Sequence, residues 1–271
     1  MLARSQHSTG FFIRLLLLIA AIGLAPTLVA EFNSAPLLPS VWRQLIVAGC
    51  CQSIYYIGLY RGYQSGDFTV VYPLARATPV LVIAALDVAR GQVPTLFGWL
   101  GLLLIVIGCI LAPLISLRDF ALKRYLNATT LWIAVAALGT IGYTAADSHA
   151  AKLLSPGLGT SVRYHVLECS IALIGYWAIL SMMHKPVCIT VSWSDWRSSG
   201  IAAAGLFGSY ALILWAFQLS AHISYIVAVR QFSVVLGVGA AVILFREPAV
   251  RFRLLAALLI TGGTLCISVG G

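Results

Sequence analysis

Charge is scarce in this chain of 271 residues. Asp, Glu, Lys and Arg together make up 9% of it, where soluble domains carry about a quarter. Acidic residues are rarer still, eight against 17 Lys and Arg. Such a composition cannot clothe a water-facing surface, which excludes an ordinary soluble fold. The surplus of basic residues does not indicate nucleic acid, because Lys and Arg are scattered singly between apolar stretches and form no stripe. Metal-type spacing is also lacking among the six cysteines, Cys50, Cys51, Cys109, Cys169, Cys188 and Cys266. Neither a disulfide framework nor a metal site is expected, and the thiols read as small core residues. There is no nucleotide-binding loop, no His-Glu-x-x-His, no paired aspartates and no nucleophile with a base at useful spacing. The chain therefore reads as a non-enzyme without a cofactor. Any work it does must draw on an ion gradient or on the gradient of its own solute.

What the sequence has in abundance is apolar surface: 61% hydrophobic residues and a mean hydropathy of +0.97. Stretches long enough to cross a bilayer, about 20 residues at 1.5 Å each, lie near residues 11–30, 41–62, 68–88, 95–116, 129–149, 160–182, 197–218, 223–245 and 253–270. The first resembles a signal peptide in that Arg4 precedes a leucine run. However, Arg14 interrupts the run and Leu28-Val29-Ala30 is a poor cleavage site, so the stretch is read as a span. The expected fold is an all-α integral membrane bundle of about nine transmembrane helices, with loops too short for a separate soluble domain.

Sliding the chain against itself by 154 positions aligns residues 41–111 with 195–265 without a gap. Trp42 then meets Trp196, Arg43 meets Arg197, Tyr56 meets Tyr210, Gln64 meets Gln218, Arg76 meets Arg230, Pro94 meets Pro248 and Gly108 meets Gly262. Trp, Arg, Gln, Tyr and Pro are uncommon here, so chance explains the matches poorly. Matching spans are five helices apart. An odd interval reverses direction through the membrane, so the chain reads as two inverted repeats, an architecture of transporters. The repeats occupy residues 1–116 and 129–271, joined by a loop at 117–128. The first is expected to be one helix short.

Loop charge suggests the orientation. Arg4, Arg61, Arg118, Lys123, Arg124, Lys185, Arg197, Arg246, Arg251 and Arg253 fall on the side of the N-terminus, against Arg43, Arg90, Lys152 and Arg163 on the other. A cytoplasmic N-terminus and an external C-terminus are expected.

QSIYYIGLYRGYQSGDFTVVYPLARATPVL (52–81) and PTLFGWLGLLLIVIGCILA (94–112) resemble the first repeat of the EamA branch of the drug/metabolite transporter superfamily. YALILWAFQLSAHISYIVAVRQFSVVLGVGAAVILFREP (210–248) and LLAALLITGGTLCIS (254–268) resemble the second, and GYTAADSHAAKLL (142–154) resembles the helix that opens it. The resemblance covers residues 11–270 and implies a multi-pass transporter, commonly of five plus five helices. It further implies a bacterial inner (plasma) membrane location, with a small-molecule solute and the lipid bilayer as partners and a homodimer as an open assembly state.

Arg76 and Arg230 are the leading substrate-binding candidates. Each lies about two turns into an apolar span, where a guanidinium must face protein or water, and the repeat places them in equivalent positions. A planar fork of donors there suits a carboxylate or phosphate; snorkelling or bonding a carbonyl is the structural alternative. Tyr56, Tyr72, Tyr210 and Trp215 are candidates to line the same cavity. Asp147 and Glu168 are candidate proton carriers, Glu168 lying on the same helix face as His165 three residues before it. The alternatives are an ion pair with Arg163 or Arg14 for Glu168 and an interfacial cap for Asp147. Glu247 reads as solvated. Gln64 and Gln218 should satisfy helix ends, and the small residues of GWLGLLLIVIG (98–108) and GLFG (205–208) should permit close helix packing. Pro73 and Pro79 bracket Arg76 and would loosen the helix there. A secondary transporter of a small polar or anionic metabolite is the leading reading. A non-transporting assembly subunit, or less readily an intramembrane enzyme, stands as the alternative.

Overall fold

The computed structural model describes residues 9–33, 36–65, 68–112, 128–185, 189, 192–236 and 250–270. Side chains are described for these except 65, 68–77, 128–129 and 250–253. Among the described residues every regular element is an α-helix, as expected for a backbone that must pair its own polar groups without water. In chain order they are α1 (Thr9–Asn33), α2 (Leu38–Ser65), α3 (Phe68–Ala89), α4 (Leu96–Leu111), α5 (Ala128–Leu153), α6 (Leu158–Met182), α7 (Trp193–Leu219), α8 (Ile223–Val229) and α9 (Val250–Gly270). Helices α1, α6 and α7 are long and apolar enough to cross a membrane by length and composition. Shorter apolar helical stretches cover 78–89, 96–111, 223–236 and 254–270. Helices α2 and α7 end 154 residues apart and begin 155 apart, and α4 and α9 begin 154 apart. Helix α3 runs through Pro73 and Pro79 without a break.

The chain forms two compact units, each drawing on both halves of the sequence. Unit one comprises residues 1–64 and 138–219, and unit two comprises 65–137 and 220–271. In unit one, α1 packs on α6 and α7, and α6 packs on α7. Helix α2 lies against α6, where the Ser53 hydroxyl donates to the Ala172 carbonyl at 3.1 Å, and a Cβ on Gly175 would collide with that hydroxyl. The start of α6 is tied to the end of α7: Gln218 Oε1 accepts the Gly157 N–H at 2.8 Å, a helix-end role of the kind expected for this residue.

In unit two, α4 and α9 pack most intimately, and α8 lies against both as well as α3. The close approach comes from Gly101 and Gly263, since a Cβ on either would strike the other's carbonyl oxygen at 2.6 Å. The expectation of glycine-mediated packing thus holds for 98–108. It fails for GLFG, because Gly205 and Gly208 have nothing within 4 Å of a built Cβ among the described residues. Gly101→Val would push a branched side chain into a backbone carbonyl and should cost about 1–3 kcal/mol. A drop of about 2–4 °C in melting temperature per kcal/mol in detergent would register it, while Gly205→Ala should leave the melt unchanged.

Candidate functional site

The core of unit one is polar to a degree that a membrane bundle tolerates only for a reason. On α6 a single buried stripe carries Tyr164, His165, Glu168, Cys169, Ala172 and Tyr176, residues spaced three and four apart as one helix face requires. Helix α5 supplies Thr144 and Asp147, one turn apart and wholly buried. Helix α7 adds Tyr210, and α2 adds Gln52 and Tyr56, all buried.

Asp147 is the centre of this cluster. The Tyr164 hydroxyl donates to its Oδ1 at 3.0 Å, and the Tyr210 hydroxyl donates to its Oδ2. The carboxyl therefore joins α5, α6 and α7, and the interfacial-cap alternative does not describe it. Glu168 lies one helical turn from His165, whose Nδ1 shares a hydrogen bond of 2.8 Å with Glu168 Oε2. Both side chains are fully buried. The expected partners of Glu168, Arg163 and Arg14, are engaged elsewhere. Arg163 Nη2 pairs with Glu31 Oε2 at 3.0 Å, and Arg14 Nε donates to Ser199 Oγ at 3.2 Å. Glu31 also accepts the Leu38 N–H at 2.7 Å, so its carboxylate closes the turn from α1 to α2 as a structural ion pair does.

Aromatic rings wall the cluster. His165 stacks on Phe207 at 5.2 Å and lies 4.8 Å from the Tyr210 ring. From there edge-to-face contacts run from Tyr210 to Tyr143 and from Tyr143 to Tyr55, each at 5.7 Å. Tyr56 meets Phe12 at 5.0 Å and Tyr176 at 6.3 Å. Phe207 also lines an open apolar hollow of about 220 Å³ between α1 and α7, with Leu18, Ile22 and Ala203 among its walls.

The structure brings together four of the sequence candidates: Asp147, Glu168, Tyr210 and Tyr56. Trp215 belongs to unit one but is 37% exposed. Arg230 lies in unit two, half-buried at the C-terminal cap of α8. The side chains of Arg76 and Tyr72, and the whole of Glu247, lie outside the described residues. Sequence reasoning missed Tyr164, Gln52, Thr144 and Tyr176 as members of the cluster. Tyr164 and Tyr176 could have been found from periodicity, since both fall on the stripe that carries His165 and Glu168, and Thr144 lies one turn from Asp147.

Residues 2–113 match the EamA-like transporter family. Over that stretch the match agrees with the resemblance drawn for the first repeat, and the chain is similar there to a family of transporters. No curated protein matches the chain.

Proposed function

We propose that the protein is a secondary transporter that carries a small polar or anionic metabolite by alternating access, with Asp147 and Glu168 as the proton-handling groups. In this reading it crosses a bacterial inner membrane nine times as two inverted repeats, residues 1–116 and 129–271 around the loop at 117–128. Its N-terminus is cytoplasmic. One observation supports the proposal most: two fully buried carboxyls in a membrane bundle are held by phenols and an imidazole, with no Lys or Arg among the described residues bonded to either. Glu31 shows the contrast, since a carboxylate kept for structure is neutralised by an arginine. A carboxyl left without such a counter-ion in a membrane interior is costly, and the sites that retain one are typically proton relays and solute paths. Arg230 and its repeat counterpart Arg76 are proposed separately as grips for an anionic group of the solute.

The test is flux in proteoliposomes under an imposed pH gradient. Wild type should accumulate solute. Glu168→Gln should lose accumulation driven by the gradient while keeping solute exchange at saturating solute, because the amide preserves shape and hydrogen bonding but carries no proton. Accumulation unchanged in the variant would return Glu168 to a structural role. Turnover without flux would mark an enzyme, and neither would mark an assembly subunit.

A further inference from the structure

Four side-chain atoms in the core of unit one have no hydrogen-bond partner among the described residues. They are Oε1 of Gln52, Oε1 of Glu168, and the hydroxyls of Thr144 and Tyr176. Each of these residues is more than nine-tenths buried. Native proteins rarely leave buried polar atoms unpaired, and such places take water or a ligand.

The four residues lie on three helices that pack together in unit one. Helices α2 and α6 run alongside each other: Gly49 faces the Glu168 carbonyl and Ile171, Ser53 bonds the Ala172 carbonyl, and the Tyr56 ring meets Tyr176. Gln52 therefore lies between the levels of Glu168 and Tyr176. Helix α5 packs on α2 at the same height, with Gly142 against Cys51, and carries Thr144 one turn from Asp147, which bonds Tyr164 of α6. From Gly49 to Tyr56 is seven residues of helix, about 10 Å at 1.5 Å per residue. That is the length of a small metabolite.

We infer that these atoms form a subsite for a solute bearing a protonated amine. The inference rests on the transport reading of this cluster and names the chemistry of one part of its solute. An ammonium carries donors only, and Glu168 Oε1 offers an acceptor that nothing else uses. The Gln52 amide and the two hydroxyls can turn an oxygen towards it. The rings of Phe12, Tyr56 and Tyr176 present electron-rich faces, which attract organic cations. An anionic group in this place would instead meet Glu168 and Asp147, which already lie within each other's field. Among the described residues neither of those carboxyls has a bonded Lys or Arg to receive it.

Three solutes with one ring and different charge test the assignment: benzylamine, benzyl alcohol and benzoate, bound to the full purified chain at neutral pH by equilibrium dialysis. Benzylamine should bind at least about tenfold tighter than the alcohol, with benzoate weakest. Glu168→Gln should bring the amine to within about twofold of the alcohol at an unchanged melting temperature. Tyr176→Phe, which removes one oxygen and keeps the ring, should weaken the amine by a smaller factor and guards against loss of fold. The assignment falls if benzoate binds best, if the amine preference survives in Glu168→Gln, or if none of the three binds. Flux separates this outcome from the fate of the transport reading. Gradient-driven uptake of benzoate alone would keep transport and discard the amine subsite. Tight binding of benzylamine without flux of any solute would keep the subsite and discard transport.

Discussion

Replacing Asp147 with alanine should silence gradient-driven uptake and destabilise the protein, whereas Asp147→Asn should silence uptake alone. The alanine leaves the Tyr164 and Tyr210 hydroxyls, two buried donors on different helices, without an acceptor. In water-soluble proteins each stranded group costs about 1–3 kcal/mol. Hydrogen bonds inside membranes average nearer 0.6 kcal/mol, because the chain inserted but unpacked also finds partners. The two effects together put the expected loss at about 1–3 kcal/mol, a fall of roughly 2–12 °C in melting temperature. Asparagine keeps an acceptor for one phenol and a similar volume, so its melt should lie closer to wild type while uptake is lost. If Asp147→Asn transports normally, Asp147 is a structural knot between α5, α6 and α7.

Arg230→Lys should keep the charge, allow insertion and weaken binding of an anionic solute by on the order of 1–3 kcal/mol, because the planar two-donor fork is lost. Arg230→Ala should weaken it further. Arg76→Lys should behave likewise, as expected of a residue in the equivalent position of the other repeat, while Arg118→Ala, outside the apolar spans of the sequence, should not. Membrane abundance and thermal stability must be followed together with binding. Loss of binding at normal abundance supports the grip. Parallel loss of both, with lysine restoring both, assigns the arginines to holding helices together, a role that the place of Arg230 at the cap of α8 also fits.

What could be read from the sequence depended on the range of the forces involved. Helix bounds were legible because apolar length and repeat register are local: the 154-residue offset carries the end of α2 onto the end of α7. Asp147 and Glu168 were legible as candidates because a carboxyl in an apolar span is conspicuous in a chain with eight acidic residues. Their partners were harder. His165 could be placed beside Glu168 by helical spacing, but the tie from Asp147 to Tyr210 joins residues 63 apart and leaves no local trace. Glycine shows the same limit. Gly101 and Gly205 sit in similar small-residue patterns, yet only the first meets another helix, and the composition around a glycine does not reveal what faces it.

The interleaving of the two compact units has a consequence for how the protein is made. Unit one needs residues 1–64 and then waits for 138–219. Helices α1 and α2 are therefore synthesised with Arg14 and Gln52 exposed, well before Ser199 exists to receive Arg14. Early helices must linger in a hydrated or chaperoned setting during insertion, and premature release into lipid would strand those groups. A gene cut between residues 117 and 127 should consequently yield two unstable halves when each is expressed alone. Expressed together, the halves could complete unit one, and protease resistance that returns only on co-expression would be the sign of it.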